Sequence, residues 1–243
     1  MNSAISPEDD QAIRFFRTCQ ALYALLVRQN MMFHQDFISR LRPLLAGRLT
    51  HHPCDFLDLG CGDASMALQL AKGHKIGAYT GVDLCEGMLS SAQDNLNVEE
   101  CTVSLQCMDL LQGLQRYDDR ADIILASFSV HHLSEQDKQR FLILGRQRLV
   151  DNGCLVLVDH FLKPGQDLQG FIHDVMVHYS GFEGFTREMA DLVHEHVSTS
   201  DFPVTIEQYR IWGKATGWKT TVVHDCGNWA ALLLEPVEEA LAE

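Results

Sequence analysis

No apolar stretch in this chain is long enough to cross a bilayer. The richest windows, ALYALLV at 21–27 and CLVLVDHFL at 154–162, fall well short of the ~20 residues a membrane helix needs. The N-terminal MNSAISPEDDQAIRFF lacks the basic segment and apolar run of a secretory signal. Positive charge is scarce: 19 Lys and Arg stand against 33 Asp and Glu, a formal net charge of −14. A surface that acidic repels phosphate backbones and anionic lipid, so neither nucleic acid nor a membrane surface is an expected partner. None of the eight cysteines forms a C-x-x-C pair, which argues against a zinc knuckle or a disulfide framework. Buried thiols in a reducing compartment are expected instead, hence a cytoplasmic protein. No repeat, low-complexity tract or linker divides the 243 residues, a length that suits one large domain.

What is present is alternation. Residues 8–47 carry Ile13, Phe16, Tyr23 and Val27 on one helical face, then Phe37, Ile38 and Leu41; Pro43 should kink or restart this helix and Gly47 stop it. From residue 54 short apolar runs alternate with amphipathic ones. Strands are expected at 54–59, 78–82, 102–107, 121–127 and 154–161, and helices at 64–72, 87–96 and 134–149. Asp63 is placed to cap the helix at 64–72, and Ser134 opens the helix at 134–149. Residues 108–120 read as a connection, and Asn152 with Gly153 as a turn. Such alternation builds βαβ units and a parallel sheet. The chain closes with a helix at 206–216 and runs at 219–225 and 229–234, spaced as an antiparallel hairpin.

Three of the first four strand ends carry an acid: Asp58 in FLDLGCG, Asp83 in TGVDL and Asp109 in CMDLL. Ligands of open parallel sheets bind outside the strands' carboxyl ends, so these acids line one edge. Asp83 can accept from both ribose hydroxyls of a nucleoside. Asp109 can accept from an adenine amino group, with Leu84 and Leu110 flanking the ring. Gly60, Cys61 and Gly62 form a tight turn that lets backbone approach the ligand. Asp58 adds negative field, which repels a pyrophosphate and attracts a cationic ligand. A dinucleotide fingerprint also fails because Ser65 stands where its third glycine belongs.

DLGCGDAS and VDLCEGML resemble the first two motifs of class I S-adenosylmethionine-dependent methyltransferases, in a stretch from about residue 53 to 235 that also ends in the family's hairpin. Ala64 stands where many members have a third glycine. The resemblance implies a Rossmann-like α/β fold: a seven-stranded, mostly parallel sheet with a C-terminal antiparallel hairpin, helices on both faces and an N-terminal helical extension. It implies S-adenosylmethionine as cofactor, held by Asp58, Gly60, Cys61, Gly62, Asp83, Leu84, Asp109, Leu110 and backbone near Ser127. One domain over 1–243 is expected, with a helical lid at 1–50, a cofactor-binding half at 53–162, a cap insertion at 163–204, and the final helix and hairpin at 205–235.

The implied reaction is methyl transfer to oxygen, nitrogen or carbon of a small-molecule metabolite. The alternative is a protein of this fold that binds S-adenosylmethionine without transferring methyl, as a scaffold or through other sulfonium chemistry. The acceptor pocket should border SFSVHH at 127–132. A hydroxyl acceptor needs a base, and His131 is favoured, with His160 in LVDHF second. No metal is expected, because His173 and His178 are five residues apart and His194 and His196 two, so neither pair shares a helical face. Asp174 and His178 do share one.

Overall fold

The computed structural model describes residues 20–49, 52–97 and 100–237. The expected helical stretch before residue 20, with Ile13 and Phe16, and the side chain of Tyr23 lie outside the described residues. Helix α1 (Gln20–Arg28) is followed by α2 (His34–Leu49), and then the alternation begins: β1 (Cys54–Leu59), α3 (Ser65–Ala71), β2 (Ile76–Asp83), α4 (Glu86–Leu96), β3 (Thr102–Cys107), α5 (Leu110–Arg116), β4 (Ala121–Ser127). A single 3₁₀ turn (Val130–His132) leads to α6 (Glu135–Gln147) and β5 (Leu149–Leu162). Helices α7 (Leu168–Ser180) and α8 (Arg187–Ser200) come next, then β6 (Val204–Thr205), α9 (Ile206–Ala215), β7 (Trp218–Asp225) and β8 (Trp229–Pro236).

The strands lie in the order β3-β2-β1-β4-β5-β8-β7, with the two-residue β6 beside β5. β1 through β5 pair in parallel, and β8 pairs antiparallel to both β5 and β7. The switch point, where the chain leaves β3 on one edge and returns beside β1, therefore falls between β1 and β4. This is the Rossmann-like sheet with a terminal hairpin that the sequence pattern implied.

Each central strand is buried on both faces, which is why its sequence is continuously apolar rather than alternating. On β4, Ile123 and Leu125 face one core with α1 to α4, α7 and α8, while Ile124 and Ala126 face the other with α5, α6 and α9. Each such Ile or Leu taken fully out of water contributes about 1.5–3 kcal/mol.

Local expectations needed correction at five points. The N-terminal helix breaks at residues 29–33, where Asn30 and Phe33 take left-handed backbone, and not at Pro43. Pro43 and Ser39, whose carbonyl it leaves unpaired, are exposed, so water replaces the lost bond and α2 runs through Pro43 and Gly47 to Leu49. The cap of α3 is Ala64 at φ 63°, while Asp63 accepts from the Ser65 amide instead. The connection at 108–120 contains α5, capped by Asp109. β5 continues through Asn152 and Gly153 with a register shift against β4. Asp174 pairs with Lys163 (2.7 Å), and His178 instead reaches the Met31 carbonyl (2.7 Å).

Candidate active site

The turn after β1 is built from left-handed backbone: Gly60 at φ 74°, Gly62 at φ 53° and Ala64 at φ 63°. Gly60 also meets a spatial limit, since a Cβ there would lie 2.4 Å from the Ser129 Cβ. Ser129 in turn donates its hydroxyl to the Leu59 carbonyl (2.7 Å). The loops after β1 and β4 are thus pressed together at the switch point.

Asp83 ends β2 with both carboxylate oxygens engaged: Oδ2 accepts from the Gly62 amide and Oδ1 from Cys85, each at 2.8 Å. Burial raises its pKa despite these donors. Each oxygen keeps a second lone pair for a ligand hydroxyl. Leu84 follows it, half-buried. Asp109 ends β3 and caps α5, its Oδ1 accepting from Leu111 and Gln112 at 2.9 Å, so Oδ2 remains for a ligand. Leu110 beside it is half-buried. Asp58 is different. It is 2 % exposed, accepts from the Tyr79 hydroxyl (2.8 Å), and burial pushes its pKa up to about 7. Cys61 packs buried against Gly81, whose missing Cβ leaves room for its sulfur.

This edge fits the adenosyl part of S-adenosylmethionine on its own chemistry. It offers acceptors for ribose and adenine, a glycine cradle that a Cβ at Gly60 would fill, and acids (Asp58, Asp63 and Asp83) where a phosphate would need donors.

Beyond β4, Ser127 is half-buried and Phe128 takes φ 54°, unusual for a bulky residue and a mark of a constrained turn. Its ring centroid lies 4.9 Å from that of His34 and 5.6 Å from that of His160. Next to it is a buried cluster of histidines and aspartates. Asp159 accepts from Nδ1 of His131, and Asp201 Oδ2 lies 3.3 Å from Nδ1 of His160. Asp201 Oδ1 faces His132 Nδ1 at 3.4 Å, His196 Nε2 at 3.5 Å and His131 Nε2 at 3.6 Å. Burial moves His131 well below the ordinary histidine range and His196 to about 4. Burial alone would raise Asp201, but His131, His160 and His132 together hold it below the usual carboxylate range. Lys138, 1 % exposed and lowered to about 8 by burial, donates to the carbonyls of Leu133 and His131 and fixes this turn from beneath.

Residues 56–153, from β1 into β5, match the family described as "Methyltransferase domain". The chain is 21% identical over 213 residues to a carboxy-S-adenosyl-L-methionine synthase of Shewanella amazonensis, covering 86% of each protein. A ubiquinone biosynthesis O-methyltransferase of Coxiella burnetii is 30% identical over 112 residues, 46% of this chain and 40% of that one. The fold is similar to the plantazolicin methyltransferase BamL, solved with a triazolic desmethylPZN analogue and SAH: TM-score 0.65, 15% identity, 93% of this chain and 95% of that one. Residues 56–153 form a methyltransferase domain, and the chain is similar over most of its length to S-adenosylmethionine-dependent enzymes. It is accordingly a transferase with S-adenosylmethionine as cofactor.

In this methyltransferase the glycine turn, Asp83 and Asp109 come together on one edge, as their strand-end positions required. His131 and His160 also lie together, with ring centroids 4.5 Å apart. Sequence reasoning missed Asp159, Asp201, Lys138, Tyr79 and the place of His196 in this cluster, while Ser129 lies in the segment it put at the acceptor pocket. Asp159 could have been found, since it precedes His160 at a strand end. His196 and Asp201 could not, because the fold of 163–204 decides what they meet.

Proposed function

We propose that this methyltransferase methylates an oxygen, nitrogen or carbon atom of a small-molecule metabolite, at the ends of β1 and β4 and beneath a cap formed by 163–204 and the N-terminal lid. The observation that carries the reading is the close approach of Gly60 to Ser129 with Asp83 alongside, which supports a nucleoside seat at the switch point and an acceptor seat next to it. When bound, the cofactor supplies an electrophilic methyl on a sulfonium.

The chain's own residues orient and select. Asp83 accepts from the ribose hydroxyls, Asp109 Oδ2 from the adenine amino group, and Leu84 and Leu110 pack on the ring. Gly60, Cys61 and Gly62 give backbone access, the segment at Ser127 holds the methionine amino group, and Asp58 contributes a field from beneath. Phe128, Phe171 and Trp229 surround His160 with aromatic surface, which favours an acceptor carrying an apolar or ring-bearing part.

For a hydroxyl acceptor His160 is the better base. Its Nδ1 faces Asp201, and its Nε2 has no hydrogen-bond partner, whereas both ring nitrogens of His131 face carboxylates. Carbon and amine acceptors need no such base.

The cap reading is supported by the aromatic seam of Phe33, His178 and Trp229, which joins the α1–α2 turn, α7 and β8. A cytoplasmic enzyme is supported by the buried thiols of Cys54, Cys61, Cys85 and Cys154, and a partner other than nucleic acid by the net charge of −14.

The test is calorimetry with S-adenosylmethionine, followed by a panel of hydroxyl-, amine- and activated-carbon metabolites with methyl-labelled cofactor. Asp83→Ala should weaken cofactor binding by about 1.5–3 kcal/mol, the scale of hydrogen bonds to a charged group, and label should pass to one acceptor class. Unchanged affinity in Asp83→Ala, or binding of NADH alone, overturns the reading.

A further inference from the structure

We infer that His131, His132, His196 and Asp201 form a binding site for a divalent transition-metal ion, zinc by its donor set, that fastens the end of α8 to the turn after β4. One ligand atom from each of the four lies within 4.8 Å of the others. The hub is Asp201 Oδ1, with an imidazole nitrogen from each of three different histidines at 3.4, 3.5 and 3.6 Å. Those separations exceed the ~2.7–3.2 Å of a good hydrogen bond. They match the edge of a tetrahedron of donors at about 2.0–2.1 Å from zinc, which is about 3.3–3.4 Å.

Oδ1 itself is buried with no hydrogen-bond partner, an arrangement that costs free energy unless a cation lies in the gap. Three imidazoles and one carboxylate are the borderline-soft set that zinc takes. The surroundings are those of ligands held in place. Asp159 accepts from His131 Nδ1 and so leaves Nε2 facing the hub, the carboxylate–histidine arrangement of zinc sites. Asp201 Oδ2 is occupied by His160 at 3.3 Å. His132 Nδ1 also lies 2.9 Å from the Ser200 carbonyl, and metal capture exchanges that contact for the ion.

The four ligands come from two segments, the 3₁₀ turn at Val130–His132 and the C-terminal end of α8 with the residue after it. A backbone bond from Phe202 to the His131 carbonyl (2.8 Å) already joins those segments. Four protein ligands in a buried position close the coordination sphere, so the ion secures the cap and leaves no open position for a substrate. The expectation of no metal considered histidine pairs within one helix, whereas these ligands meet only across the fold. The proposal does not rest on the methyl-transfer reading, because its readout is metal binding.

The decisive experiment titrates the chelator-stripped full chain with Zn²⁺ by competition calorimetry, and with Co²⁺ as a visible probe. One ion per chain should bind, and the Co²⁺ form should show the intense d–d absorption of a tetrahedral centre. His196→Ala and Asp201→Asn should each weaken Zn²⁺ binding by at least about 100-fold, and Asp159→Asn by about 10–100-fold as an orienting partner. His52→Ala, at the exposed trio of His52, Cys54 and Asp122, should change nothing. If a ligand variant folds poorly, the Co²⁺ spectrum of the unaltered chain and His196→Gln decide instead. Failure to saturate at one ion per chain, an octahedral Co²⁺ spectrum, binding that survives the His196 variants, or binding lost in His52→Ala would each overturn the site.

Discussion

Asp159 on β5 accepts a hydrogen bond from Nδ1 of His131, in the turn that follows β4, and both side chains are almost entirely removed from solvent. The pair ties the acceptor-side turn to the central sheet. Nε2 of His131 faces Asp201 at 3.6 Å, so both nitrogens of that ring face carboxylates, whereas the neighbouring His160 has a buried Nε2 with no hydrogen-bond partner.

The two histidines should therefore respond differently to substitution. His160→Ala should lower turnover on a hydroxyl acceptor by about 10²–10⁴-fold, with cofactor affinity unchanged. His131→Ala should instead cost stability, about 1.5–3 kcal/mol in urea unfolding, by depriving buried Asp159 of its side-chain donor. Wild-type turnover in His160→Ala with a hydroxyl acceptor would place the base elsewhere.

Gly60 and Gly73 allow strain and close approach to be separated. Both have positive φ (74° and 89°), but a Cβ at Gly60 strikes Ser129 at 2.4 Å while one at Gly73 meets nothing within 4 Å. Gly73→Ala should cost about 1 kcal/mol of conformational strain alone. Gly60→Ala should cost clearly more, about 2–4 kcal/mol, and weaken cofactor binding as well. Equal losses in chemical denaturation would mean that the two loops part without penalty.

Asp109 has two duties to separate. Asp109→Ala should destabilise the protein by about 0.5–2 kcal/mol through loss of the α5 cap, whatever the ligand. Asp109→Ser keeps a capping oxygen but loses the acceptor aimed at adenine. It should retain most of the stability yet bind S-adenosylmethionine more weakly, by about 5- to 10-fold, as for one lost hydrogen bond. Calorimetry showing wild-type affinity for Asp109→Ser would confine the residue to its helix.

Asp58 predicts a pH dependence. Its carboxyl titrates at about 7 in the fold against 3.8 in the unfolded chain, chiefly because it is buried. Between those values the native state holds a proton that the unfolded state has released. The stability from Asp58 is therefore complete below about pH 4 and is lost as pH rises through 7, with a slope of about 1.4 kcal/mol per unit. Asp58→Asn still accepts from Tyr79 and removes this titration. The stability of the variant relative to wild type should thus rise between pH 4 and 7, and a constant difference across that range would show that Asp58 is ionised throughout.

The sheet and its ligand edge are legible in local sequence pattern alone. Continuous apolar runs such as ADIILAS can be buried only between two helical layers, and one acid at each of three strand ends needs only the βα repeat to bring the three side by side. Glycine-rich backbone after β1 was legible for the same local reason. The remaining features depend on packing between distant segments. Which ring of His131 and His160 stays available depends on carboxylates at 159 and 201, the second of them brought in by a cap whose path no local periodicity dictates. Helix α2 runs through Pro43 because that face meets water, a fact absent from the sequence pattern. The meeting of His131, His132, His196 and Asp201 lies furthest from the sequence, because residues about 65 apart converge only when the cap packs onto the sheet.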